Sequence, residues 1–367
     1  MRVLVYGMSA SIIGGIEIYL MNLYKNFDLD KLQFDFIIEG EKARFENEIN
    51  ELGGKIFYIT PKKESFLKNI RDLNKILKMN RETHEVVYLN HVKLHYNIPF
   101  ILSAKYKYKI AVHSHLIKTK DRLIFTLAHY INRVFVRNNK STSLFACSNM
   151  AAEWLFGVKP VLNDKVKIIN NAINAESFTF NKSIRNDIRK NMGLENKFVV
   201  GNIGRLSLQK NPLFLLKIFN QIYKRNKDAV LLMVGDGEMK AEIEKEILKL
   251  ELKDNVILTG NRSDIQDLLQ AMDVFLFPSN YEGLGIVIIE AQAAGLKCIV
   301  SADVIPQEVK ITDLVEFVSL KEAPEYWAER VLSVADSSRR NTYLEIKKAG
   351  YHINDIAIQM QNLFLKM

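Results

Sequence analysis

Short unbroken runs of aliphatic and aromatic residues alternate along the chain with longer stretches in which apolar side chains recur every third or fourth position. The first pattern predicts strands buried on both faces and the second amphipathic helices. Their regular alternation predicts parallel sheets covered by helices on both sides. In the first half, strands are expected at 2–8, 33–39, 55–60, 85–89, 109–114 and 143–147, with helices at 16–26, 42–52 and 65–79 among the links. A second series of strands begins at 198–204 and continues at 229–234, 255–258, 274–278, 297–301 and 314–318. The expected architecture is therefore α/β, with two doubly wound parallel sheets, one in each half. The polar stretch 170–196 lacks a long apolar period and is followed by a new strand, which sets the expected division into residues 1–175 and 176–350. A last helix over 351–367 can pack back across either half.

Length and composition agree with two cores. A chain of 367 residues is long for one domain, and a hydrophobic fraction of 48% is ample for two. Cys147 and Cys298 sit inside apolar runs, with no Cys/His cluster around them, a distribution that argues against a zinc site and fits a reducing cytoplasm. The opening MRVLVYGM is too short an apolar run for a secretory signal. No apolar stretch approaches the ~20 residues of a membrane span, so a soluble or peripheral protein is expected. There is no short-period repeat, which argues against a solenoid.

The net charge of +9 is unevenly placed. Residues 1–175 hold 26 Lys+Arg against 16 Asp+Glu, a balance of +10, and the remainder of the chain is −1. Between Val86 and Lys140 ten basic residues, among them Lys118 and Lys120, face Asp121 alone. Such a patch attracts an anionic membrane, a phosphorylated acceptor or a nucleic acid, or is simply a solvated face. No recognition motif for nucleic acid accompanies it. The segment 121–140, DRLIFTLAHYINRVFVRNNK, mixes apolar residues with Arg122, Arg133 and Arg137. It can rest on an anionic bilayer, although an ordinary helix covering the first sheet is the favoured reading.

In open α/β sheets ligands collect at the carboxyl ends of strands, and the polar and glycine clusters fall there. Residues 279–301, SNYEGLGIVIIEAQAAGLKCIVS, place Glu282 in a strand-to-helix loop and Glu290 about two turns inside a helix expected over 284–294. Free N–H groups at that helix start, near Leu284 and Gly285, suit a phosphate flanked by two acids that suit hydroxyls. Gly204-Arg205-Leu206 and Lys210-Asn211-Pro212 follow the first strand of the second half. Arg205 can fork onto phosphate oxygens, Lys210 adds a point charge, and together they can neutralise a leaving diphosphate without a metal. Gly235-Asp236-Gly237 reads as a structural turn, and Arg262, after Gly260-Asn261, can border a nucleobase. In the first half, Gly14 and Gly15 open a helix and allow close backbone approach to a ligand. His113-Ser114-His115 follows a strand. The two histidines are expected to face opposite ways, which makes a shared metal improbable, and His113 is preferred as the histidine facing the ligand because it is placed nearer the strand end.

Taken in order, Gly14-Gly15-Ile16-Glu17, His113, Ala146-Cys147-Ser148, Asn170-Asn171-Ala172-Ile173-Asn174 with Phe178, Gly204-Arg205-Leu206 with Lys210-Asn211, Gly235-Asp236-Gly237, and Glu282-Gly283-Leu284-Gly285 with Glu290 resemble the retaining glycosyltransferases of family 4, the group 1 type. The likeness extends to bacterial capsular and exopolysaccharide enzymes and covers nearly the whole chain. It implies the GT-B fold of two facing Rossmann-like domains, the first on the acceptor side and the second binding the nucleotide-sugar. It further implies that Arg205 and Lys210 bind the donor diphosphate and that Glu290 holds the ribose hydroxyls. Glu282, with the amides of Leu284 and Gly285, contacts the transferred sugar. His113 lies beside the reacting centre, and the Gly14-Gly15 loop approaches from the other domain. One departure is that the family's NGID reads NAIN here.

The implied activity is transfer of a hexose or N-acetylhexosamine from a nucleotide-sugar, taken as a UDP-sugar, to a glycan acceptor, taken as lipid-linked. The anomeric configuration is retained, with no metal and no cofactor. The implied location is the cytoplasm, at the inner face of the membrane. Two further readings are a non-catalytic GT-B partner or chaperone of another transferase, which would be expected to lose these residues, and a nucleotide-sugar epimerase.

Overall fold

The computed structural model describes residues 1–10, 14–91, 93–115, 122–302, 304–335 and 337–367, so Lys118, Lys120 and Asp121 of the basic stretch lie outside the described residues. The chain divides into two compact units, Met1–Ile173 with His352–Met367, and Asn174–Tyr351.

The first unit holds β1 (Arg2–Ser9), β2 (Gln33–Glu39), β3 (Ile56–Ile59), β4 (Val86–His91), β5 (Lys109–Ser114), β6 (Thr142–Ala146) and β7 (Val166–Ile168). They form one sheet in the order β3-β2-β1-β4-β5-β6-β7. The second unit holds β8 (Phe198–Ile203), β9 (Ala229–Val234), β10 (Val256–Leu258), β11 (Val274–Phe277), β12 (Lys297–Ser301) and β13 (Val315–Val318), in the order β10-β9-β8-β11-β12-β13. Every pairing within both sheets is parallel. In each sheet the chain steps outward from its first strand on one side, then returns to build on the other. The reversals fall between β1 and β4 and between β8 and β11, and such reversals open a crevice at the strands' carboxyl ends.

Helices on both faces explain the unbroken apolar runs, and β9, AVLLMV, is buried at all six positions. The first sheet has a core on each side. One gathers Phe34, Phe36 and Tyr88 against the returning helix Ile353–Leu365; the other gathers Val87, Val112 and Phe156. Phe364 on that returning helix packs its ring 5.7 Å from Phe34 and 5.1 Å from Tyr88, so the C-terminal helix belongs to the first unit's core.

The helix Leu123–Asn138 differs from the favoured expectation of a simple cover for the first sheet. It buries His129 and Val136 but exposes Leu123 (85%), Ile124, Phe125, Leu127, Tyr130, Ile131, Val134 and Phe135. At 100° per residue, Leu127 and Ile131 stand about 160° and 200° round the axis from His129, so a continuous apolar stripe lies opposite the buried edge. Arg133 does not join a free basic face: its guanidinium donates to the Trp154 carbonyl and sits 4.6 Å over the Tyr130 ring.

Candidate functional site

The second unit's reversal point is built by the loops after β8 and β11. After β8 the backbone passes Gly204 and Arg205, makes a short 3-10 turn at Leu208–Lys210, and enters the helix Pro212–Arg225 through Asn211 in the left-handed conformation. A Cβ at Gly204 would stand 3.1 Å from Cε of Lys210, so glycine leaves room for that side chain to lie across the loop. Gly237 is more tightly constrained, because a Cβ there would meet the Leu206 carbonyl at 2.4 Å. The Gly235-Asp236-Gly237 turn is thus a buttress: the Asp236 carbonyl accepts from the Leu206 N–H and the Leu206 carbonyl from the Met239 N–H, each at 3.0 Å.

The loop after β11 is sewn to the first. Asn280 donates its backbone N–H to Gln209 and its side-chain amide to Leu208, Gln209 donates to the Tyr281 carbonyl, and the Ser301 hydroxyl donates to the Ser279 carbonyl. These ties bring Lys210 Nζ to 2.5 Å from Oε1 of Glu282, with side chains 17% and 6% exposed. The ammonium also lies 4.6 Å over the Phe277 ring. Gly285, at φ +77°, caps the helix Ile286–Ala293, whose first turn carries no acidic residue and whose cap supplies no side-chain acceptor. Its leading N–H groups therefore retain their anion-binding capacity.

That helix begins two residues later than its apolar run predicts, because Gly285 is left-handed. Glu290 is accordingly its fifth residue, a little over one turn in rather than two. Glu290 is half-buried as a residue, yet protein crowds its carboxyl group, and this desolvation pushes its pKa up to about 7. Among the described residues its carboxyl group makes no hydrogen bond or ion pair. The structure does not draw every candidate into one cluster. Arg205, 63% exposed, pairs with Glu238 at 3.0 Å, and Arg262 forks onto Asp264.

In the first unit, Glu17 closes the loop between β1 and the helix Gly15–Lys25, accepting from the backbone N–H groups of Ser9 and Gly14, both at 2.9 Å. Gly14 and Gly15 thus form a fixed entry to that helix. The two histidines overturn both expectations made of them. The β5 ladder runs through Ser114, paired with His91 and Ala146, so His115 is the first residue beyond the strand and His113 lies within it. Residues two apart on a strand share a face, and the rings lie 4.1 Å apart. His113 has no exposed surface. Its Nδ1 shares a hydrogen bond with the Tyr88 hydroxyl at 2.5 Å, with the Tyr19 hydroxyl at 3.5 Å. Burial, reinforced by His115, holds its pKa well below the usual value, so it is a neutral ring. His115 Nε2 bonds to Oδ1 of Asn90 at 2.8 Å. Tyr19, Tyr88 and Asn90 lie 25 or more positions from their histidine partners, and nothing in the local sequence marks them.

A model of the glycosyl transferases group 1 matches residues 184–352. The putative glycosyltransferase EpsF of Bacillus subtilis strain 168 is 32% identical over 341 residues, spanning 89% of this chain and 86% of EpsF. The UDP-Gal:alpha-D-GlcNAc-diphosphoundecaprenol alpha-1,3-galactosyltransferase of Escherichia coli is 40% identical over 144 residues, 37% of this chain and 36% of that enzyme. Among solved structures, Anabaena Alr3699/HepE, in complex with UDP-glucose, matches at TM-score 0.78 and 19% identity over the full length of both chains. Agreement in fold, and in sequence along most of the chain, places it in a family: it belongs to the group 1 glycosyltransferases, of the family 4 type with the GT-B fold.

Proposed function

We propose that the chain is a retaining glycosyltransferase of cell-surface polysaccharide synthesis, moving a hexose or N-acetylhexosamine from a UDP-sugar to a lipid-linked glycan at the cytoplasmic face of the membrane. The observation that carries this reading is the Lys210–Glu282 pair beside the uncapped helix start at Gly285, with Glu290 one turn further on. Cation, helix N-terminus and two carboxylates meet the needs of a nucleotide diphosphate bearing two sets of hydroxyls. The named donor and acceptor of the Escherichia coli relative support the choice of UDP-sugar and diphosphate-linked lipid.

In this reading Lys210 and Arg205 hold the donor diphosphate, Arg205 exchanging Glu238 for phosphate oxygens, and Arg262 borders the base. Glu290 receives the ribose hydroxyls. Glu282, with the amides of Leu284 and Gly285, receives the transferred sugar. Gly14 and Gly15 provide close backbone approach, His115 stands at the sugar, and His113 fixes its ring from behind. The acceptor hydroxyl attacks the anomeric carbon on the face the diphosphate leaves. The old C–O bond breaks with its electron pair going to the diphosphate, and the hydroxyl proton passes to a leaving phosphate oxygen. Positioning and fixed positive charge are the protein's part, and no metal is assigned a role. A screen of nucleotide-sugar hydrolysis and transfer in chelator is expected to single out a UDP-sugar and to give a product of unchanged anomeric configuration. No turnover of any nucleotide-sugar, or an inverted product, would sink the reading.

The Leu123–Asn138 helix supplies a place for lipid. Its exposed apolar stripe is flanked by exposed Arg122 and Lys140, and Lys159 is exposed on the neighbouring helix Val158–Leu162. Among the described residues no helix is long and apolar enough to cross a membrane, so contact is interfacial. The protein is expected to float with vesicles rich in phosphatidylglycerol at low salt. Leu123→Ser combined with Ile124→Ser and Phe135→Ser should leave it at the bottom of the gradient. Unchanged flotation of this variant would remove the helix from the contact.

A further inference from the structure

The two loops sewn together at the second unit's reversal point carry an outer rim in which the donor contacts have no part. Leu206 to Gln209 on one loop and Ser279 to Tyr281 on the other hold no charged residue. Leu208 is 69% exposed and Tyr281 47%, whereas the adjoining Glu282 is 4% exposed. The chain thus turns Glu282 inward, to Lys210, and Tyr281 outward at the position before it.

Apolar residues scattered singly over a surface need no explanation, but these two stand on backbone that is fixed from the opposite loop. The Tyr281 carbonyl accepts from the Gln209 side-chain amide at 3.1 Å and the Leu208 carbonyl from the Asn280 side-chain amide at 2.7 Å. The Asn280 backbone N–H donates to the Gln209 carbonyl at 2.8 Å. Each amide is therefore tied through its nitrogen, which leaves its side-chain oxygen as an acceptor at the rim. Among the described residues neither oxygen takes a hydrogen bond, the Tyr281 hydroxyl has no partner, and its ring stacks on no other ring or cation. An aromatic face bordered by uncharged acceptors suits a sugar. The C–H groups on one face of a pyranose ring carry partial positive charge and pack on the negative face of an aromatic ring, while the hydroxyls donate to amide oxygens. Tyrosine supplies such a face at little cost in side-chain entropy. A charged ligand would find no counterion in either segment.

We propose that Tyr281 is the platform on which a neutral pyranose ring of the acceptor glycan stacks, with the side-chain oxygens of Gln209 and Asn280 receiving hydroxyls of that ring. The donor sugar does not compete for this place, because Glu282, which receives it in the transferase reading, lies on the inward side. A ring arriving from solvent meets Tyr281 first. Calling that ring the acceptor rests on the transferase reading; the stacking of a sugar on Tyr281 does not.

The test has two arms. Proton NMR of the full chain with UDP and the methyl glycosides of glucose, galactose and N-acetylglucosamine is expected to show upfield ring-current shifts for the C–H protons on one face of at least one sugar. The shifts should vanish in Tyr281→Ala and persist in Tyr281→Phe and Tyr281→Trp, which keep an aromatic face. No such shift with the wild type, or shifts retained in Tyr281→Ala, overturns the proposal. In the second arm, alkyl diphosphates of the same three sugars serve as acceptors, and KM is followed for whichever is used best. It is expected to rise about ten-fold or more in Tyr281→Ala and to return in Tyr281→Phe, the scale of a lost aromatic stack with its buried area. The KM for the UDP-sugar should change less than about two-fold, since a uniform loss of that contact does not touch the donor. A rise confined to the UDP-sugar places Tyr281 on the donor and overturns the proposal, as does no rise for either substrate. A chain that shows the ring-current shifts but turns over no nucleotide-sugar keeps the sugar site and loses the transferase reading instead.

Discussion

Replacing Lys210 by alanine is expected to slow sugar transfer by about 100-fold or more, the usual cost of removing one preorganised donor to a developing charge, roughly 2.7–4 kcal/mol. The ammonium is mostly buried, fixed between Glu282 and the Phe277 ring before any substrate arrives, so no reorganisation is needed when charge collects on the diphosphate. Arg205→Ala should produce a comparable loss, although Arg205 is exposed and must first leave Glu238. A purely structural role for the Lys210–Glu282 pair makes a different prediction. Truncating Lys210 alone would then harm the protein by stranding a nearly buried carboxylate, and Lys210→Ala/Glu282→Ala would recover. In the role proposed, the double variant melts like the wild type and stays slow, because both substrate contacts are gone. Transfer near the wild-type rate in Lys210→Ala and Arg205→Ala, or recovery in the double variant, would end the assignment.

The fold was legible because burial on both sheet faces writes itself as unbroken apolar runs. β2, β5, β9 and β12 occupy the very residues those runs mark. β7 was not, being three residues long at the sheet edge with Lys167 in the middle, which leaves no run to read. The later start of the Ile286–Ala293 helix was hidden for another reason: periodicity cannot reveal that Gly285 adopts a left-handed backbone. Charged residues at strand ends pointed to Lys210, Glu282 and Glu290, but their partners did not show. Lys210 meets Glu282 across 72 positions, and Arg205 finds Glu238 instead of joining them. Nor could the apolar stripe of Leu123–Asn138 be separated from a core face, because pattern alone does not say which side of a helix meets the protein.

Nucleotide binding should carry the signature of Glu290. In the free protein its carboxyl titrates at about 7, raised by desolvation alone. Ribose hydroxyls donate to a carboxylate more strongly than to a carboxylic acid, so the ligand selects the form with one proton fewer, and binding below pH 7 must release a proton. Affinity is therefore fully developed above pH 7 and is lost as pH falls through it. Hydrogen bonds to a charged group exceed those to a neutral one by roughly 1–1.5 kcal/mol, so UDP affinity should drop by about ten-fold between pH 8 and pH 5. Glu290→Gln keeps the shape of the side chain but fixes it uncharged. It should bind about ten-fold more weakly than the wild type at pH 8 and converge with it at pH 5. The terminal phosphate of UDP titrates in the same range, with a second pKa of about 6, but does so equally against both proteins, so the difference between the two profiles isolates the carboxyl group. Calorimetric profiles that overlay across this range would remove Glu290 from the ribose site, whatever the transfer rates show.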